Sequence, residues 1–145
     1  MSIQKKIDQL LSEFPEQLDW ESKYKKIIEK GKKLPDLNSE FRVESNLIKG
    51  CQSQVWLYAK LNPQTKTIEL FADSDALIVK GLVAILVEIF NQESPSEVLK
   101  TDLGFFEKMG LKNHLTPSRA NGFNAMIKQI FNYAIAFNYL INKNN

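Results

Sequence analysis

Apolar residues recur at helical spacing along most of the chain and switch to strict alternation in one central stretch. This change of period outlines the fold. Ile3, Ile7, Leu10, Leu11 and Phe14 form a first helical stripe that stops before Pro15. Trp20, Tyr24, Ile27 and Ile28 make a second, with Asp19 placed to cap it and Gly31 and Pro35 marking its end. Residues 38–49 are weakly patterned, although Phe41, Val43, Leu47 and Ile48 allow a short strand.

Beyond residue 54 the period becomes two. Val55, Leu57, Ala59 and Leu61 alternate with Gln54, Trp56, Tyr58 and Lys60, and Ile68, Leu70 and Ala72 alternate with Thr67, Glu69 and Phe71. Asn62-Pro63-Gln64-Thr65-Lys66 reads as the turn between them, so the pair predicts an antiparallel hairpin. A lone hairpin is marginal in water, and helices must cover one of its faces.

Asp73-Ser74-Asp75 supplies acids and a cap for a third helix, in which Leu77 to Phe90 is apolar nearly all round. That helix is expected to be the central buried element, with Gly81 costing about 1 kcal/mol against alanine in exchange for close packing. Ser94-Pro95-Ser96-Glu97 has the form of a capping box opening a short helix, and Phe105, Phe106 and Met109 cluster before Gly110. Thr116 and Pro117 then open a long last helix, in which Phe123, Ile127, Ile130, Ala134, Phe137 and Ile141 share one face. The expected class is α+β: one domain over residues 1–145, with a small antiparallel sheet of about three strands packed against helices.

Composition narrows the function. Hydrophobic residues make up 43% and charged residues 25%, too apolar for a disordered chain and sufficient for one core. All 17 acids lie before residue 108, whereas residues 108–145 hold five of the 19 Lys/Arg, which makes the C-terminal part a basic face. Those five charges are too dilute for a nucleic-acid footprint. The apolar run Ala76 to Phe90 contains Lys80 and Glu88 and falls short of the ~20 residues of a membrane span. A single cysteine and a start without a secretory apolar stretch point to the cytosol.

Little conventional catalytic chemistry is available. One Cys and one distant His do not make a zinc site, and phosphate-loop, dinucleotide and serine-nucleophile patterns are absent. His114 reads as structural, since nothing in the spacing pairs it with Cys51. Read alone, a free cysteine is a small core hydrophobe. Gly50 before it and Gln52-Ser53-Gln54 after it instead set Cys51 on a loop, where a reachable thiolate can exchange sulfur with another molecule without a metal.

Three motifs carry a resemblance. Gly50-Cys51-Gln52-Ser53-Gln54-Val55-Trp56, Asp73-Ser74-Asp75-Ala76 running into Ile78-Val79-Lys80-Gly81-Leu82, and His114-Leu115-Thr116-Pro117-Ser118-Arg119 resemble, in order and spacing, the SufE family of sulfur acceptors. Trp20, Tyr24, Gly31 and Leu34-Pro35 extend the likeness toward the N-terminus, so that it runs from about residue 19 to 130. It implies a curved sheet shared with IscU-type scaffolds, no cofactor and no metal. It also implies that Cys51 accepts the persulfide sulfur of a SufS-type, pyridoxal-phosphate cysteine desulfurase, stimulates that enzyme and passes sulfur to the SufBCD scaffold for iron–sulfur assembly. Asp75 and Arg119 fall at family positions tied to desulfurase contact or to the setting of the cysteine loop. The chain is then not itself an enzyme, has no nucleic-acid or membrane partner, and is a monomer or weak dimer. Two alternatives share these residues: a module that activates a desulfurase without carrying sulfur, and the related acceptor of the Csd system.

Overall fold

The computed structural model describes residues 2–111 and 114–143; the tail residues Asn144 and Asn145 lie outside them. Helix α1 (Ile3–Glu13) and helix α2 (Trp20–Lys33) follow the first two stripes, each opened by the side chain of its cap, Ser2 and Asp19 respectively. Gly31 does not end α2. It lies buried within the last turns of the helix, where α2 crosses the central helix α3 (Leu77–Phe90) so closely that a Cβ on Gly31 would come within 2.8 Å of the Gly81 backbone nitrogen. A Cβ on Gly81 would sit 2.1 Å from the Ile27 carbonyl oxygen. Two glycines at one crossing therefore let two backbones touch, which offsets the helix propensity each forfeits.

Strands β1 (Val55–Leu61) and β2 (Ile68–Ser74) form the hairpin, antiparallel, with Val55 opposite Ser74, Trp56 opposite Asp73 and Leu61 opposite Ile68. Asn62 builds the turn, its side-chain oxygen accepting from the backbone N–H groups of Gln64 and Thr65. The sheet has two strands rather than about three. The segment expected to supply another forms two 3₁₀ turns, Ser39–Phe41 and Glu44–Asn46; its backbone pairs with β1 only at a Leu47–Trp56 bridge and an Ile48 N–H to Val55 C=O bond, and its side chains meet β1 where Phe41 stacks on Tyr58. The cause is local: Asn38 caps the first turn through Glu40 N–H, and Glu44-Ser45-Asn46 offers no apolar alternation to bury.

Helix α3 occupies the centre, with Ile78, Leu82, Ile85, Leu86, Ile89 and Phe90 buried against β2, α1 and α2. Each such side chain contributes about 1.5–3 kcal/mol by leaving water. Lys30 joins three helices by ion pairs to Glu13 of α1 at 2.8 Å and Glu88 of α3 at 2.9 Å. Helices α4 (Pro95–Leu99) and α5 (Phe105–Lys108) lead into α6 (Pro117–Lys143), whose Phe123, Ile127, Ile130 and Ala134 close the core. The distal half of α6 also leaves Ile135, Tyr139 and Leu140 exposed on a second face.

Asp73, Ser74 and Asp75 do not cap α3 as expected. Strand β2 runs through Ser74, and the cap residue is Ala76, with no side-chain cap bond. Asp73 is instead buried and binds two cations, Arg42 from the 3₁₀ segment and Lys80 of α3, the latter at 3.2 Å. The half-buried Lys80 turns its ammonium toward that carboxylate. The buried carboxylate requires compensation, and both cations turn inward to supply it. Arg42 also lies over the Trp56 ring, 5.2 Å from its centroid.

Candidate functional site

Residues 49–53 form a loop that carries the chain's one thiol. Its neck is closed by the Ile48–Val55 hydrogen bond at 2.8 Å and the Leu47–Trp56 bridge. Beyond the neck the Gln54 peptide is held on both sides: its N–H donates to the Asp75 carboxylate at 3.0 Å, and its carbonyl accepts from the Ser74 hydroxyl at 2.8 Å and the Asp75 N–H at 3.3 Å. Between these anchors, residues 49–53 make no hydrogen bond with the other described residues. Gly50 takes φ +93°, the left-handed region that glycine enters without penalty. A Cβ there would meet nothing within 4 Å, so the backbone angle rather than space requires the glycine.

This loop folds Cys51 back over α6. The half-buried thiol faces a pocket of about 260 Å³ lined by Gln52 and Ser53 of the loop, Val79 and Leu82 of α3, and Thr116, Ser118, Arg119, Gly122 and Met126. Burial pushes the Cys51 thiol above its ordinary pKa, which keeps it protonated at neutral pH. Thr116 opens α6 as expected, its hydroxyl accepting from Arg119 N–H at 3.3 Å. That cap brings the Arg119 side chain to the pocket rim, and no carboxylate among the described residues pairs with it. Among the described residues no group of His, Cys, Asp and Glu is arranged to hold a metal ion, and no helix is long and apolar enough to cross a membrane.

The three motifs thus meet in one place: Gln54 is bonded to Asp75 and Ser74, and Cys51 shares its pocket with Thr116, Ser118 and Arg119. His114 stands apart, stacked on Trp20 with ring centroids 4.5 Å apart. Sequence reasoning missed two parts of the site. Val79 and Leu82 read as core residues within the second motif and Met126 is not singled out; the pocket-facing role of all three has no separate sequence signal. Gly122 passed unnoticed, although a lone glycine inside a helical pattern asks for a packing reason.

Comparison with known proteins gives the family and the fold. The family model described as SufE, an Fe-S metabolism associated domain, matches residues 8–134. The chain belongs to the SufE family. A hypothetical protein from Thermus thermophilus, whose structure was determined in solution, is similar over 91% of this chain and 95% of its own, with a TM-score of 0.74 and 25% sequence identity. Membership of the SufE family associates the chain with iron–sulfur metabolism, and the α+β architecture of helices on a small antiparallel sheet is shared with that neighbour.

Proposed function

We propose that this chain is a sulfur acceptor and carrier, with Cys51 as the accepting residue. The observation that carries the reading is the placement of the single thiol: at the tip of a loop anchored on both sides, withdrawn into a pocket able to shelter one additional sulfur. In the reaction, the Cys51 thiolate attacks the terminal sulfur of a persulfide on a SufS-type cysteine desulfurase. A new S–S bond forms at Cys51, the donor's S–S bond breaks, and the donor cysteine leaves as a thiolate; no net oxidation occurs. Removing that sulfur frees the desulfurase for another turnover, which is the activating role. The same exchange run outward delivers sulfur to a SufBCD-type scaffold.

The resting thiol is held protonated by burial, so the partner must draw the loop out or supply the base. Asp75 sets the loop through the Gln54 N–H, and Arg119, without a carboxylate partner among the described residues, is available to an anionic sulfur or to an acidic surface of the desulfurase. Gly50, Gln52 and Ser53 form the moving frame, and Gln54 is its fixed end. The reducing cytoplasm suits a carrier whose one thiol must stay free.

Intact-mass analysis after incubation with a SufS-type desulfurase and L-cysteine tests this. The expected result is a gain of one sulfur atom on Cys51, absent in Cys51→Ser, together with loss of desulfurase stimulation in that variant. Stimulation that survives Cys51→Ser without any sulfur transfer would leave an activating module and end the carrier role.

A further inference from the structure

Gly122 lies on the second turn of α6, buried, at a helix position where glycine forfeits stability against alanine. A Cβ built there would come within 2.8 Å of Cys51 Sγ, closer than two such atoms can approach, but 3.6 Å from Cys51 Cβ, an ordinary contact. The missing side chain therefore matches the sulfur: the three nearest atoms to the added carbon all belong to Cys51, and only Sγ is too close. The loop opposite can yield, because residues 49–53 make no hydrogen bond with the other described residues and Gly50 supplies a pliable hinge.

We propose that Gly122 is a positioning residue, a seat on α6 that holds the Cys51 sulfur in the withdrawn position and sets the balance between a sheltered and a presented thiol. This rests on the reading of Cys51 as the acceptor, for which such a balance matters. Filling the seat displaces the sulfur toward solvent without touching the loop anchors at Ile48, Gln54 and Asp75.

The test uses the free protein and a bulky maleimide. Gly122→Ala should label at Cys51 roughly fivefold or more faster than the parent, while Asn121→Ala, an exposed neighbour on the same helix, should not. The midpoint of the labelling rate against pH should also fall toward that of an ordinary thiol. Thermal unfolding supplies an independent readout: in a Cys51→Ala background, where only the distant Cβ remains, Gly122→Ala should raise Tm by about 3 °C, and in the parent the gain should be smaller or reversed. Unchanged or slower labelling, with the same Tm change in both backgrounds, would overturn the seat. Neither readout involves a desulfurase. A chain that shows both shifts yet accepts no sulfur keeps the seat and loses the carrier role, and one that accepts sulfur but shows neither shift does the reverse.

Discussion

The Asp75 carboxylate accepts a hydrogen bond at 3.0 Å from the backbone N–H of Gln54, and this bond ties the turn before α3 to the loop that bears Cys51. Asp75 is exposed, so the bond adds little to global stability but fixes one end of the loop. Asp75→Ala is expected to lower Tm by no more than about 3 °C and to speed maleimide labelling of Cys51 several-fold. Labelling kinetics beside a melting curve check both parts; unchanged labelling would remove Asp75 from the setting of the loop.

Asp73 carries structural weight of another kind. Its carboxylate is buried between Arg42 and Lys80, and it joins the 3₁₀ segment, β2 and α3 by charge. Asp73→Asn leaves two cations without a counter-charge; because both can turn toward water, the expected loss is about 2–3 kcal/mol, at the low end for a broken buried pair. Arg42→Ala should cost less, roughly 1 kcal/mol, since Lys80 still pairs. Urea unfolding that ranks the two variants the other way would refute this assignment.

The α2–α3 crossing makes a sharp prediction. Alanine at residue 81 gains about 1 kcal/mol of helix propensity, yet its methyl would lie 2.1 Å from the Ile27 carbonyl oxygen, and neither backbone can move without opening the core. Gly81→Ala should therefore be net destabilising by more than roughly 2 kcal/mol. A urea midpoint equal to or above that of the parent would show that the helices are free to separate.

Burial raises the Cys51 pKa in the folded chain, and the sign of its effect on stability follows. Above the ordinary thiol pKa the unfolded chain loses its proton before the folded chain does. Stability from this group is thus fully present below that pH and declines as pH rises toward the folded pKa. The alkylation rate of the folded protein should accordingly have its midpoint above that of a free thiol and fall back to it in urea. A folded midpoint below the free-thiol value would mean that an unrecognised positive charge governs the site.

Much of this architecture is legible in the chain itself because it depends on local periodicity. The stripe of α1, the start of α2, the hairpin with its Asn62 turn, the Ser94 cap with Pro95 and the Thr116-Pro117 opening of α6 all lie where the pattern predicts. The missing third strand has a local cause, and the other departures arise from partners distant in sequence. Gly31 answers to the helix crossing against Gly81, the expected site of close packing, and Asp73 and Lys80 answer to each other and to Arg42, 31 residues before Asp73 in sequence. Reading Asp73-Ser74-Asp75 as a local cap failed because a buried carboxylate finds its partners in space, which local spacing does not encode.

The thiol shows the same division. Residue types alone determined that one cysteine, preceded by a glycine and followed by polar residues, stands on a loop, and that the three motifs belong to one family. A sheltered Cys51 is expected; only the tertiary structure decided that the sulfur shelters against Gly122 and beside Arg119, with the loop fastened through Gln54 to Ser74 and Asp75. A sequence specifies which groups can bond and how each segment repeats. Which groups meet, and how far a thiol sits from water, depends on helix crossings and loop closure that are settled only when the whole core packs.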